Sequence, residues 1–93
     1  MLSIIVPIHN GEAYNRLFLR SLKEYTVSDY ELIVVDNCSD DGSTQLFKDA
    51  GAVLLRNEEN YCYACSMNQG LAVAKGEYIC FANNDGNKVE ERE

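Results

Sequence analysis

Four short apolar runs alternate with three helix-like stretches along 93 residues, and this alternation restricts the fold more than any other feature of the chain. Leu2-Ser3-Ile4-Ile5-Val6-Pro7 is mostly apolar, as expected of a strand covered on both faces, and Pro7 is expected to end it. Tyr30 to Asp36, Ala52 to Leu55 and Glu77 to Ala82 read as three further strands. From Glu12, the residues Tyr14, Leu17, Phe18, Leu22 and Tyr25 share one helical stripe with Ser21, while Arg16, Arg20, Lys23 and Glu24 fall away from it. Asn37 to Ser43 carries turn and capping residues ahead of a short helix over Thr44 to Ala50, which Gly51 stops. From Tyr63 to Lys75, Ala64, Met67, Leu71 and Ala74 recur at helical spacing with Asn68 beside them, and Gly76 is placed for a C-cap. A β-α-β-α-β-α-β order with short crossovers requires right-handed connections. The expected class is α/β: a Rossmann-like, three-layer α/β/α arrangement around a mostly parallel sheet of about four strands.

Composition limits what such a domain can bind. With 46% hydrophobic residues, a single Pro and six Gly, the chain has enough apolar material for one modest core. Its formal net charge of −7 argues against nucleic acid or an anionic membrane as partner, since both demand a basic surface. No apolar stretch approaches the roughly 18 residues of a transmembrane helix, and Met1-Leu2-Ser3 lacks the basic start of a signal peptide, so a cytoplasmic location is expected. In that setting the Asn37-Cys38-Ser39 sequon reads as a chance match.

Ligands of parallel α/β sheets bind outside the carboxyl ends of the strands, and this sequence concentrates its polar residues there. The strand ends are Pro7-Ile8-His9-Asn10, Asp36-Asn37, Arg56-Asn57 and Asn83-Asn84-Asp85. No Gly-x-Gly-x-x-Gly and no Walker lysine loop follows the first strand, so neither common phosphate cradle is available. An acidic chain can then hold a diphosphate through a divalent cation, for which Asp85 is the candidate ligand. Asp36 can accept a hydrogen bond from a ribose hydroxyl or a base N–H, and His9 can lie flat against a base.

Four segments in this order resemble the N-terminal, nucleotide-binding half of family 2 glycosyltransferases, a GT-A fold group. Ser3 to Asn10 is similar to the opening strand and Pro-Thr-Tyr-Asn turn, and Glu31 to Ser43 to the second strand and its acidic Ser-Asp-Gly-Ser/Thr loop. Arg56 to Asn60, with Asn68-Gln69-Gly70-Leu71, resembles the Asn-x-Gly…Asn-x-Gly-Leu stretch. Gly76 to Asp85 resembles the strand that leads into the Asp-x-Asp-type metal motif.

The resemblance implies a donor-binding subdomain over residues 1–85 and a short polar tail over 86–93. Pro7, Ile8 and His9 would line the nucleobase pocket, Asp36 would bond the base or ribose, and Asn84 would sit near the ribose and diphosphate. Asp85 would ligate Mg or Mn. The implied partner is a UDP-, GDP- or dTDP-sugar, and the implied reaction is sugar transfer to a glycan or related acceptor. His9 stands in place of the usual Tyr, Cys62 where Gly is common, and Asn83-Asn84 in place of carboxylates. The family continues beyond the metal motif with an acceptor-binding half that holds the general base, so the implied chain is a truncated donor domain. Its bare sheet edge is expected to favour pairing with another chain or a second copy.

Other readings fit less of the sequence. Asp36-x-Cys38-x-Asp40 superficially matches a calcium loop, but its sixth position is Asp41 where Gly is required. Cys62-x-x-Cys65 has redox spacing at a helix start, whereas Cys38 and Cys80 form no second close pair for a four-thiolate zinc site. A phosphoacceptor receiver domain would need an early acidic pair and a late-strand Lys, and a nucleotidyltransferase a Gly-rich basic opening loop. Neither pattern is present. An inactive nucleotide-binding or protein-interaction module is the remaining alternative.

Overall fold

A computed structural model describes residues 1–25 and 29–82. The elements run β1 (Leu2–Ile8), α1 (Glu12–Tyr25), β2 (Tyr30–Asn37), α2 (Ser43–Asp49), β3 (Val53–Asn57), α3 (Tyr63–Val73) and β4 (Tyr78–Phe81). The strands form one sheet in the order β3-β2-β1-β4, and every pairing is parallel. From β1 the chain steps one way to β2 and β3, then returns across β1 to place β4 on its other side. The strand order therefore reverses at β1, where a sheet of this kind opens a crevice for ligands.

The period of two along each strand divides the core into two layers. Ile4, Val6 and Ile8 of β1 and Leu32 and Val34 of β2 pack with Leu19 and Phe47 of α1 and α2. Ile5, Ile33 and Val35 point to the opposite face and pack with Met67 of α3. The near-continuous apolar runs of β1 and β2 are thus explained: both strands are interior to the sheet and covered on both sides.

Pro7 does not end β1 but lies within it, paired in register with Val35. Alternate residues of a strand turn their backbone groups to the same neighbour, and Ile5 gives its carbonyl to the Ala82 N–H on the β4 side. Pro7 therefore faces that side too, beyond the last β4 pairing at Ile5↔Phe81, where its missing N–H interrupts no ladder among the described residues. The strand β3 also extends further than the apolar run indicates, taking in Arg56 and Asn57.

Both long helices bury a face shifted from the expected one: Phe18 and Leu22 of α1, and Met67 of α3 with Ala74 at its C-cap, pack on the core as expected, but other members of each stripe do not. In α1 the inward residues are Asn15, Phe18, Leu19 and Leu22, while Tyr14 and Leu17 are 55% and 57% exposed. Asn15 can head this face because its amide nitrogen donates to the Ser43 Oγ (2.7 Å) and the Asn10 carbonyl (3.2 Å). In α3 the inward residues are Ser66, Met67 and Gly70, whereas Ala64 and Leu71 are exposed. Small residues let this helix approach β1 closely. A Cβ on Gly70 would lie 2.4 Å from Ile5 Cγ2. Gly76 is not the C-cap of α3; that position is Ala74, directly after Val73. Instead Gly76 passes over the start of β1, where a Cβ would meet Ser3 Oγ at 2.6 Å and the Met1 carbonyl at 2.7 Å.

Gly70→Ala is expected to destabilise the domain by about 1–3 kcal/mol, since the fully buried Ile5 has no solvent to move into. Urea titration reads this directly. In a double-mutant cycle with Ile5→Ala, the double variant should lose less than the sum of the singles. Strict additivity would show that the two residues do not touch.

Candidate functional site

The residues that follow β1 and β2 are held by one another. Asn10 and Gly11 both adopt positive φ, 58° and 81°, which turns the chain sharply out of β1 into α1. The Asn10 N–H donates to Ser39 Oγ (2.8 Å), and its side-chain oxygen accepts from the Asp40 N–H (2.8 Å). Two helix starts are then clasped reciprocally. The Glu12 N–H donates to Asp41 Oδ2 (3.1 Å), and the Gly42 N–H donates to Glu12 Oε1 (3.1 Å). Partial desolvation pushes the Asp41 carboxyl up, but hydrogen bonds from Ser43 and the Glu12 N–H outweigh it and leave the group below the usual carboxylate range.

Alternation along β2 sends Asp36 and Asn37 to opposite faces. Asp36 is fully buried on the α2 side. Its Oδ1 accepts from the Ser39 N–H (2.9 Å), and its Oδ2 accepts from Arg56 Nη1 (3.0 Å) and from the Thr44 hydroxyl. Arg56 also donates to the Ser39 carbonyl (2.9 Å), so the ion pair ties β3 to the turn after β2. Asn37 is buried on the α3 side, where it donates to Ser66 Oγ (2.8 Å) and accepts from Asn57 Nδ2 (2.8 Å). Asn57 and Gln69 exchange amide hydrogen bonds of 2.8 and 2.9 Å. This amide chain locks α3 to the carboxyl ends of β2 and β3.

Beside that support, at the end of β1, lies a cleft of about 430 Å³. Pro7, Ile8, His9, Asn10 and Gly11, at the end of β1, line it together with Asn37 at the end of β2. Tyr14, Tyr61 and Tyr63, 55%, 44% and 48% exposed, also line it, together with Asn60. The His9 ring is fixed by Nδ1, 2.7 Å from the Asn37 carbonyl, which makes Nδ1 the donating nitrogen. Large apolar ring faces with a few convergent amides suit a flat, hydrogen-bonding ligand. A larger groove of about 920 Å³ runs between α1 and α2, along Arg16, Arg20, Lys23 and Asp49. It follows the C-terminal parts of both helices, away from the strand ends.

Pro7, Ile8 and His9 all line the cleft. Asp36 is not among the lining residues. Its oxygens face Arg56, Thr44 and Ser39, and a bond to a ligand would require one of these partners to give way. Asn84 and Asp85, with Asn83, lie outside the described residues. Among the described residues no group of three His, Cys, Asp or Glu side chains could hold a metal ion. Sequence reasoning did not name Asn10, Gly11, Tyr14, Asn37, Asn60, Tyr61 or Tyr63 as lining residues. Tyr61 and Tyr63, two apart in an otherwise polar stretch before a helix, were the available signal.

This is a parallel α/β domain with a tyrosine-lined cleft beside its topological switch point. The model of glycosyl transferase family 2 matches residues 3–87. The chain belongs to that family. It is 37% identical over 86 residues to an uncharacterized glycosyltransferase of Haemophilus influenzae, a match that covers 91% of this chain and 29% of that protein. Among solved structures it resembles S. aureus TarS, at 30% identity with a TM-score of 0.82, over 90% of this chain and 27% of the other. It also resembles the mannosyltransferase PcManGT from Pyrobaculum calidifontis, at 25% identity with a TM-score of 0.79, over 90% and 27%. The chain thus spans less than a third of the length of each. No helix among the described residues is long and apolar enough to cross a membrane.

Proposed function

We propose that the cleft binds the nucleoside diphosphate of a nucleotide-sugar donor, and that the chain is the donor-binding part of a glycosyltransferase acting on a glycan or related acceptor. The cleft at the end of β1 carries this reading: Pro7, Ile8 and His9 line it, and three tyrosine rings supply faces against which a base can stack. TarS has been solved in complex with UDP-GlcNAc, and PcManGT with GDP-Man and Mn2+, which supports a nucleotide-sugar ligand for the related cleft here. Asp36 contributes in this reading by fixing the turn that carries Ser39 and, through it, Asn10.

Among the described residues that line the cleft there is no Lys or Arg, so the diphosphate needs a counter-charge from elsewhere. Asn84 is assigned to the ribose and diphosphate, and Asp85 to a Mg or Mn ion. When bound, that ion supplies neutralisation of the two phosphates and stabilises the departing diphosphate. Asp85 is the sole carboxylate of the Asn83-Asn84-Asp85 triplet, and amide oxygens alone hold a hard cation weakly.

Calorimetric titration of UDP, GDP and dTDP, each with Mn and with EDTA, tests the site. Mn is expected to raise the affinity for one of them by about tenfold or more in the wild type, and to have no effect in Asp85→Asn. Equal affinities with and without Mn in both proteins would remove Asp85 from the site. Absence of binding by all three nucleotides in every condition would overturn the donor reading.

A further inference from the structure

The donor cleft leaves one reactive pair unused. Cys62 is the N-cap of α3, with an extended backbone (φ −65°, ψ 161°), and Cys65 lies in the first helical turn. Their Sγ atoms are 2.9 Å apart, and both residues are exposed. At this end of a helix the first N–H groups have no helical acceptor, so negative charge on a cap sulfur is favoured. The side-chain hydrogen bond between the two acts in opposite directions: it holds the Cys62 thiol below its ordinary value and pushes Cys65 up. The 2.9 Å approach puts each sulfur within reach of the other, and Cys62, at the cap position beside the first helical N–H groups, is the one placed to attack first. A structural zinc site would need further ligands, and among the described residues no third metal-ligating side chain joins the pair.

We propose that Cys62 and Cys65 form a dithiol–disulfide exchange site whose substrates are low-molecular-weight disulfides such as glutathione disulfide. In the first step the Cys62 thiolate attacks one sulfur of the small disulfide. A Cys62–glutathione bond forms, the glutathione S–S bond breaks, and the released glutathione thiolate takes up a proton. In the second step Cys65 loses its proton to solvent and attacks Cys62 Sγ, which forms the Cys62–Cys65 bond and expels a second glutathione. Two protein thiols are oxidised and one small disulfide is reduced to two thiols. Tyr61 and Tyr63, on either side of Cys62 in sequence, line the cleft, whereas Cys62 and Cys65 are not among its lining residues.

Tryptic mapping isolates the pair. Cleavage after Arg56 and Lys75 yields peptide 57–75, which contains Cys62 and Cys65 and neither of the other cysteines. Cys38 falls in peptide 24–48 and Cys80 in peptide 76–88. The folded 93-residue chain is incubated with millimolar glutathione disulfide, quenched with acid and digested. Peptide 57–75 is expected to lose the mass of two hydrogens with no adduct, and dithiothreitol should restore it. In Cys65→Ser the same peptide should instead retain one glutathione, acquired at Cys62 about tenfold faster than Cys62→Ser acquires one at Cys65. Two glutathione adducts on wild-type peptide 57–75, or no reaction there, would overturn the proposal. Neither result depends on nucleotide binding, so this site and the donor cleft stand or fall separately.

Discussion

Phe47→Ala is expected to cost about 3–5 kcal/mol of stability, a large share of the roughly 5–15 kcal/mol that holds an ordinary domain together. Phe47 is completely buried and is the largest side chain in that state among the described residues. It carries α2 into the cluster formed by Ile4, Val6 and Ile8 of β1 with Leu32 and Val34 of β2. Its ring also meets Phe18 of α1, with centroids 6.5 Å apart and planes tilted by 57°, a favoured aromatic geometry. Alanine would leave a hole that two helices and two strands line together. Phe47→Leu fills most of that volume and should recover most of the loss. Urea midpoints for the three proteins read the series. A loss under about 1 kcal/mol for the alanine variant would show that α2 does not pack on the sheet as described.

Asp36→Ala has the second largest expected effect, on stability and on nucleotide binding together. The carboxylate is fully buried and accepts from Ser39, Thr44 and Arg56 at once. Without it the Ser39 N–H loses its acceptor inside the fold, at a cost of about 1–3 kcal/mol. Arg56 loses less, since its side chain is 49% exposed and can return to water. UDP affinity should fall about tenfold or more, as the turn that carries Ser39 releases Asn10 at the cleft. Arg56→Ala separates the two routes by which Asp36 could act. A positioning role predicts weaker UDP binding, because Arg56 also holds the Ser39 carbonyl. A direct bond from Asp36 to the nucleotide predicts stronger binding, because the carboxylate is then released. Unchanged affinity in Asp36→Ala would take the residue out of the site altogether.

The two layers of the core were legible in the strands and poorly legible in the helices, for a physical reason that Asn15 and Tyr14 illustrate. Hydrophobic periodicity assigned Tyr14 to the core and ignored Asn15, yet Tyr14 is 55% exposed at the cleft and Asn15 is fully buried. What allows Asn15 inside is a pair of acceptors, the Asn10 carbonyl and Ser43 Oγ, of which Ser43 is 28 residues away in sequence. A buried polar residue can be recognised only once its partners are in place. The same holds for Gly70, which the helical pattern treats as a neutral position. Its meaning comes from Ile5 on the facing strand.

The sequence by itself determined the alternating elements, the parallel sheet, and the edge at which polar strand ends gather, because apolar runs, turn residues and right-handed crossovers act locally or through rules common to all such chains. It also placed Pro7, Ile8 and His9 at the carboxyl end of the first strand, where they line the cleft. Only the tertiary structure decided which side of that edge each residue serves. Asp36 and Asn37 are adjacent in the chain, yet the pleat turns one to Arg56 and Thr44 and the other to Ser66 and Asn57. Strand register and the approach of α3 set that division, and they bring Tyr14, Tyr61 and Tyr63 from distant parts of the chain around one cleft.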